Sequence, residues 1–498
     1  MTRLARPSRL CAAAAAALLL ASCAKAKPGQ VPAATGPRMA PAAPAVLAAD
    51  LDALLDRPGH QRATWGIDVR SLRTGERLYA RHAGLLLVPA SVMKVATATA
   101  AAAAVGWDFT FTTTVEVSGA VADGVVHGDL MLKGTGDPSL AGEGGADVAA
   151  AVVDALRQRG VTRITGRVIA DDSAVEEPRP GLAWSWDDLG TATGALTGAL
   201  NVGENVTRVT VGPGASAGQP VRIDPPADDP EMAIANRAVT GAPGTPQTLW
   251  AERQPGEAAL TIAGAIAADA RPVPMIVSVG NPTLWAARLV RTRLRVAGIT
   301  VDGDALDADD LPALPPGQPL VRLASPPLRE LVRPMLKRSV NLYGEAVVRL
   351  AAGPDGAREM SAAGAAMRRR LRDWGVAEDG ARVVDGSGLS RFNLATAEAL
   401  TGVLAAAWDG GASPLVAALP VAGVDGTLAE RMTDTAAAGN VRAKTGTMTH
   451  VRSLAGYVTT ADGEPLAFAI VANNFEGPAA GVTATIDAIA ARLAAFRR

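Results

Sequence analysis

Cysteine is almost absent from this chain of 498 residues, and histidine is nearly as rare. The two cysteines, Cys11 and Cys23, lie near the N-terminus, so the remaining residues can form neither a disulfide nor a cysteine-based metal site. The four histidines are scattered without the spacing of metal ligands: His60, His82, His127 and His450. We therefore expect no metal site and no other cofactor.

An excess of charge of either sign is also lacking, and lysine is scarce. The formal net charge is −1, and the chain has no basic stripe of the kind that nucleic-acid-binding proteins carry, so we expect no nucleic-acid partner. Arginine supplies most of the positive charge, since only six of the 48 basic residues are lysines. A lysine in the body of this chain is therefore a candidate for a specific chemical role.

The apolar run at the N-terminus is too short to cross a bilayer. Residues 10–20 follow three arginines, Arg3, Arg6 and Arg9, and a helix of that length falls well below the roughly 30 Å of a hydrocarbon core. This arrangement is typical of a secretory signal peptide, which we predict for residues 1–22. It places the rest of the chain in the cell envelope, facing the periplasm or another extracytoplasmic space.

The end of the predicted signal resembles a bacterial lipoprotein box. The residues are Leu20-Ala21-Ser22-Cys23, and the resemblance implies that Cys23 is lipidated and anchors the protein to a membrane. The alternative is a plain signal cleaved by the ordinary peptidase, with Cys23 incidental. Residues 23–46 are rich in alanine, proline and glycine, which predicts a lipid-anchored flexible tether.

The body of the chain changes character twice. A helix is predicted over Ser91–Val105, because Pro89 precedes the run and Gly106 follows it. From about residue 112 to residue 300 the pattern favours short strands, including one over Val125–Leu132. Two helices are predicted among them, one capped by Asp147 and one that starts at Asn281-Pro282. After about residue 316 helices return, and an antiparallel set of strands follows near the C-terminus.

Ser91-Val92-Met93-Lys94 is an S-x-x-K motif on the predicted helix. Residues three apart lie on one face of a helix, so the Lys94 amine can reach the Ser91 hydroxyl. A serine is a weak nucleophile until a base removes its proton. A lysine among apolar neighbours has a lowered pKa and can act as that base. Taken alone, the motif is weak evidence.

Two further motifs follow in the order that one enzyme class requires. Ser339-Val340-Asn341 is an S-x-N, and Lys337 and Arg338 before it predict a cationic site. Lys444-Thr445-Gly446, on a predicted strand, is a K-T-G followed by Thr447. Gly446 would let a substrate backbone come close. The set of three motifs indicates a β-lactamase or a penicillin-binding protein.

With these motifs the chain resembles the low-molecular-mass class C penicillin-binding proteins, the D-alanyl-D-alanine carboxypeptidase/endopeptidase family. Further matching segments extend the resemblance over nearly the whole predicted mature chain: Pro89-Ala90-Ser91, Gly128-Asp129-Leu130, Gly134-Thr135-Gly136-Asp137-Pro138, Ile164-Thr165-Gly166, Asp171-Asp172-Ser173, Asp385-Gly386-Ser387-Gly388-Leu389-Ser390 and Gly423-Val424-Asp425-Gly426-Thr427. We interpret the segment around Ser387 as a tight loop near the site.

The resemblance implies an α+β fold. A transpeptidase/β-lactamase-like domain, an antiparallel sheet flanked by helices, would comprise residues 47–112 and 316–498. Residues 113–315 would form two nested inserted modules, the inner one at about residues 206–272. The long separation of Ser91 from Ser339 agrees with such an insertion.

The resemblance also implies the chemistry. Ser91 would be the acyl-forming nucleophile and Lys94 its general base, with Ser339 and Asn341 moving protons and orienting substrate. The other side chains that would bind substrate are Lys444, Thr445 and Thr447, with Gly446 between them. The implied partners are peptidoglycan stem peptides ending in D-Ala-D-Ala, and β-lactam antibiotics. A serine β-lactamase or esterase of the same fold, and a non-catalytic peptidoglycan-binding lipoprotein, remain alternatives.

Overall fold

The computed structural model describes residues 43–57, 62–176, 179–229, 232–408, 410 and 413–498. The predicted signal peptide and Cys23 lie outside these residues. Ten α-helices lie within them: α1 (Ala43–Leu55), α2 (Met93–Val105), α3 (Val148–Gln158), α4 (Pro282–Val296), α5 (Leu328–Lys337), α6 (Asn341–Arg349), α7 (Met360–Asp373), α8 (Ala397–Ala406), α9 (Pro414–Ala418) and α10 (Ala479–Ala494). No helix among the described residues is both long and apolar enough to span a membrane.

The described residues also form 22 strands, which belong to several sheets. They are β1 (Thr64–Ser71), β2 (Arg77–Arg81), β3 (Thr112–Val117), β4 (Ala120–Ala122), β5 (Val125–His127), β6 (Leu130–Lys133), β7 (Arg163–Ile164), β8 (Val168–Asp171), β9 (Val206–Gly212), β10 (Arg222–Asp224), β11 (Ile234–Gly241), β12 (Trp250–Glu252), β13 (Leu260–Ala267), β14 (Val273–Ser278), β15 (Thr300–Val301), β16 (Ala305–Asp307), β17 (Gln318–Ala324), β18 (Ala381–Arg382), β19 (Leu394–Ala395), β20 (Arg442–Met448), β21 (Val451–Thr459) and β22 (Pro465–Asn473). This content confirms the predicted α+β class.

The sheet that carries the K-T-G motif has five antiparallel strands in the order β2-β1-β22-β21-β20. Side chains alternate between its faces along β22, as the pleat of a strand requires. Phe468 and Ile470 pack in a core with α1 and α10, whereas Ala469 and Val471 pack in a second core with α2 and α8. Helices therefore cover both faces, and β20 lies at an edge of the sheet.

Helix α1 begins earlier than the predicted tether allows. It starts at Ala43, so residues 43–46, assigned to the tether, belong to a helix. Pro44 suits a first helical turn, and Leu47, Leu51 and Leu55 recur every four residues on the buried face. The predicted boundary was therefore wrong by four residues, because the proline was interpreted as part of a linker.

The predicted caps of two helices in the insert are confirmed. The Asp147 carboxylate accepts the backbone N–H of Ala150 at the start of α3, and the Asn281 side chain accepts that of Leu284 at the start of α4. The predicted helix over Ser91–Val105 is confirmed with one change. Its first residues form a 3-10 turn, and α2 itself begins at Met93.

The region between α2 and α5 begins and ends on paired strands. Its first strand, β3, pairs antiparallel with its last, β17, and within it β9 pairs antiparallel with β14. The strands of 112–324 bury two separate clusters of apolar side chains. The predicted single strand over Val125–Leu132 was wrong: β5 and β6 belong to different sheets. Gly128 lies at the crossing, where a Cβ would be 1.6 Å from the Ser118 carbonyl oxygen.

Candidate active site

Ser91 lies in the 3-10 turn that leads into α2, and Lys94 lies in the first turn of that helix. Ala90, which precedes the serine, has a φ of 50°, an uncommon conformation for a residue with a side chain. The preceding Pro89 carbonyl accepts a hydrogen bond from Ser453 Oγ at 2.7 Å, which ties this turn to strand β21. The Lys94 Nζ lies 3.0 Å from Ser91 Oγ.

Lys94 is fully buried and contacts two further oxygen atoms. Its Nζ donates to Asn341 Oδ1 and to the Ser387 carbonyl, each at 2.7 Å. Both oxygens can only accept, so a neutral amine would use its two N–H groups on them and direct its lone pair at the Ser91 hydroxyl. Burial lowers the pKa of Lys94 to about 7, although the carboxylate of Asp385 opposes this shift.

The S-x-N motif lies at the junction of α5 and α6. Ser339 has a φ of 64°, and Asn341 is the first residue of α6. The sequence predicted that the two basic residues before the motif leave the site cationic. The structure contradicts this prediction, because both residues form ion pairs. Lys337 Nζ lies 2.6 Å from an Asp425 carboxylate oxygen, and Arg338 pairs with Glu204. Both acids are distant in the chain, so the local sequence did not reveal them.

The K-T-G motif lies on the edge strand β20, next to the turn that carries Ser91. A Cβ at Gly446 would lie 2.0 Å from Ser453 Oγ, so the sheet leaves no room for a side chain there. Lys444 is fully buried and donates to the Thr445 carbonyl at 2.8 Å. Burial holds the pKa of Lys444 well below its usual range, and Lys94 adds to the shift. Thr447 is exposed.

A cleft of about 160 Å³ lies between the S-x-x-K motif, the S-x-N motif and Thr447, the residue that follows K-T-G. Its walls include Ser91, Ser339, Asn341 and Thr447, together with Thr193 of the insert. Two larger cavities, of about 500 and 660 Å³, are lined by none of the predicted site residues. Cavity size therefore does not identify this site; the juxtaposition of the Ser91 hydroxyl with a buried amine does.

Sequence reasoning missed the groups that surround Lys94. The Ser387 carbonyl and the Thr193 carbonyl, which accepts from Asn341 Nδ2 at 2.9 Å, are backbone groups without a sequence signature. Glu345 is buried and accepts the Ser387 N–H at 2.8 Å, and burial raises its pKa. The matched segment around Ser387 was the one available signal. Ser387 itself is fully buried, as expected of a structural loop residue.

The fold and the cleft define a serine acyl-transfer enzyme, and the comparisons with known proteins specify which. The model of the "D-Ala-D-Ala carboxypeptidase 3 (S13) family" matches residues 47–495. The chain is 38% identical over 464 residues to a D-alanyl-D-alanine carboxypeptidase of Actinomadura sp. (strain R39), covering 90% of this chain and 84% of that protein.

Solved structures agree with this match. The crystal structure of penicillin binding protein 4 (dacB) from Haemophilus influenzae has a TM-score of 0.78 at 26% identity and covers 89% of this chain and 99% of that one. The same protein complexed with a β-lactam has a TM-score of 0.71 at 25% identity, covering 89% of this chain and 98% of that one. The chain belongs to the D-Ala-D-Ala carboxypeptidase 3 (S13) family. The predicted family is confirmed, and the chain is a serine-type D-alanyl-D-alanine carboxypeptidase.

Proposed function

We propose that Ser91 is the nucleophile and Lys94 its general base. The observation that carries this proposal is the position of Lys94 Nζ, 3.0 Å from Ser91 Oγ and bound to two oxygens that can only accept. The Ser91 proton passes to the Lys94 amine while Oγ attacks the carbonyl carbon of the penultimate D-alanine. The C–N bond then breaks, the terminal D-alanine leaves with a proton, and water hydrolyses the acyl-enzyme.

Ser339 and Asn341 serve the proton transfers of this reaction. Asn341 holds the Lys94 amine through its Oδ1, and Ser339 lines the cleft where the leaving nitrogen must receive its proton. The backbone N–H groups of Ser91 and Thr447 form the oxyanion hole, because both residues line the cleft beside the attacked carbonyl.

The K-T-G strand binds the terminal carboxylate of the substrate. Lys444 has one acceptor within the described residues, a backbone carbonyl, which leaves donor capacity for a carboxylate. Thr445 and Thr447 add hydroxyl groups, and Gly446, where a Cβ would meet Ser453 Oγ and the Pro89 carbonyl, lets the strand lie close to the turn that carries Ser91. An incoming carboxylate would restore the charge of Lys444, because an opposite charge favours the protonated amine.

The substrates in this proposal are peptidoglycan stem peptides that end in D-Ala-D-Ala, and β-lactams acylate the same serine. The relatives support both, since one is named a D-alanyl-D-alanine carboxypeptidase and the other was solved with a β-lactam. Cleavage of cross-links between stem peptides is a second activity of the same acyl-enzyme chemistry. Peptidoglycan lies outside the cytoplasm, so we place the enzyme there.

We further propose that the protein is exported by its signal peptide and anchored through a lipid on Cys23. The support is the order of arginines, apolar run and lipoprotein-like box in the first 23 residues. We also propose that residues 113–315 form two nested modules. The antiparallel pairing of β3 with β17, and of β9 with β14, supports this division, since each pair closes one module.

Labelling with a fluorescent penicillin tests the nucleophile. The full chain should form a stable covalent adduct that Ser91→Ala abolishes. Ser387→Ala is the matched control, because this second serine faces the same lysine through its carbonyl, and it should still be labelled. Labelling of folded Ser91→Ala would contradict the proposal. Rapid loss of label would show that the acyl-enzyme is hydrolysed quickly, and no label on any folded variant would contradict the proposal that β-lactams acylate Ser91. A separate assay, the release of D-alanine from a muropeptide, tests whether stem peptides that end in D-Ala-D-Ala are the substrate.

A further inference from the structure

One segment of the insert, residues 181–194, contacts the two elements that hold Lys94. These are Asn341 and the loop that carries Ser387. The indole Nε1 of Trp184 donates to Asp385 Oδ2 at 2.9 Å. The Thr193 carbonyl accepts from Asn341 Nδ2 at 2.9 Å. The insert therefore contacts the catalytic domain directly behind the site, and not only at its paired entry and exit strands.

Asp385 organises the loop on which this contact falls. Its Oδ1 accepts from the Gly388 N–H at 2.8 Å and from Asn393 Nδ2 at 2.5 Å, and its Oδ2 accepts from the Ser390 N–H at 2.6 Å. These three donors belong to the loop itself. Trp184 is the fourth donor and the one that comes from the insert, 201 residues away in the chain.

The same loop supplies an acceptor to the catalytic lysine. The Ser387 carbonyl accepts from Lys94 Nζ at 2.7 Å. The neighbouring Gly388 has a φ of 83°, and a Cβ there would lie 2.0 Å from the Ala90 carbonyl oxygen, so the loop packs closely on the turn of the nucleophile. A small displacement of this loop would therefore move the oxygen that orients the amine.

We propose that Trp184 is a positioning residue: through its bond to Asp385, the insert holds the Ser387 carbonyl against Lys94 and so supports the acylation of Ser91. This inference rests on the proposed function, in which Lys94 accepts the serine proton. It gives the insert a role in the reaction itself.

Replacement of Trp184 by phenylalanine removes the N–H and retains an aromatic ring. We expect acylation by a fluorescent penicillin at saturating concentration to slow by about ten-fold, with the half-saturating concentration unchanged, since a hydrogen bond to a charged group is lost. The titratable groups around Lys94 are Asp385, Glu345 and Lys444. With one donor fewer, the Asp385 carboxylate attracts a proton on Lys94 more strongly, so the acid limb of the pH profile should move to higher pH.

Trp186→Phe is the matched control. It lies two residues away in the same segment, is 53% exposed, and its indole makes no hydrogen bond within the described residues. It should acylate like the wild type. A folded Trp184→Phe variant with the wild-type rate and pH profile would overturn the proposal.

Ser390→Ala is the second test if Trp184→Phe unfolds at a lower temperature. It removes the 2.6 Å bond from Ser390 Oγ to the Leu182 carbonyl, another contact between loop and insert. Slowed acylation in this folded variant supports the proposal that the insert holds the Ser387 loop in place, and a wild-type rate refutes it. The Ser91→Ala variant separates the two ideas, because labelling of that variant would refute the proposed nucleophile whatever Trp184 does.

Discussion

The rate of acylation of Ser91 should rise with pH in proportion to the fraction of Lys94 that is deprotonated. Burial lowers the pKa of this lysine from 10.5 to about 7, and the neutral amine is the form that can accept the serine proton. At a pKa of about 7, about half of the molecules carry the neutral amine at pH 7 and about one in a hundred at pH 5. At the ordinary value, about one in three thousand would be neutral at pH 7.

The acylation rate constant should therefore rise about fifty-fold between pH 5 and pH 7, and only about two-fold more by pH 9. The assay is rapid mixing with a saturating fluorescent penicillin, which isolates the chemical step from binding of the penicillin. Near-ultraviolet circular dichroism at each pH checks that the fold persists. Lys94→Arg is the control, because a guanidinium keeps its proton over this range and should acylate at a very low, flat rate.

Three results would refute the reasoning. A rate constant that does not change over this pH range would mean that no group titrates during acylation, so that Lys94 is not the base. A pH profile centred near the ordinary lysine pKa would mean that burial does not lower the pKa of Lys94. An acid limb that persists in Lys94→Arg would assign the titration to another group.

Substitutions at three further positions test the packing around the site. Gly446→Ala should reduce penicillin acylation by at least about ten-fold in the labelling assay, because the new Cβ would lie 2.0 Å from Ser453 Oγ and displace the strand; an unchanged rate would contradict this. Lys337→Met should lower the free energy of unfolding by only about 1 kcal/mol in urea titrations, since Asp425 is partly exposed and solvent screens the pair; a loss of several kcal/mol would be inconsistent with screening. Glu345→Gln should change the free energy of unfolding at pH 6 by less than about 0.5 kcal/mol, whereas Glu345→Ala should cost about 2 kcal/mol, because burial keeps the carboxyl protonated and an amide replaces it as acceptor; equal losses would refute this.

The sequence predicted those parts of the fold and of the site that depend on local geometry. The spacing of Ser91 and Lys94 places both on one face of a helical turn, and the cap residues Asp147 and Asn281 fix where α3 and α4 begin. Each of these relations spans three or four residues, so the helix geometry determines it. The convergence of three distant motifs came from the family resemblance and not from any local rule.

The remaining parts of the site depend on contacts between distant segments. The acids that neutralise Lys337 and Arg338 lie 88 and 134 residues away, which is why the predicted cationic site was wrong. The acceptors of Lys94 and Asn341 in the loop and the insert are backbone carbonyls, which every residue has. The break at Gly128 follows from two sheets meeting there, and the one-dimensional apolar pattern does not distinguish it from a continuous strand.

Two of the few lysines in this chain lie at buried positions where arginine could not replace them. Arginine keeps its proton under all these conditions, so it can neither act as a base nor release charge in a buried site. Lys94 and Lys444 are both fully buried, and burial lowers the pKa of each. Their hydrogen bonds separate their roles: Lys94 has two obligate acceptors and a serine hydroxyl, which suits a base, whereas Lys444 has one carbonyl within the described residues, which leaves donors for a carboxylate. A protonated Lys94 amine disfavours a second charge at Lys444, so this repulsion acts together with burial to lower the pKa of Lys444.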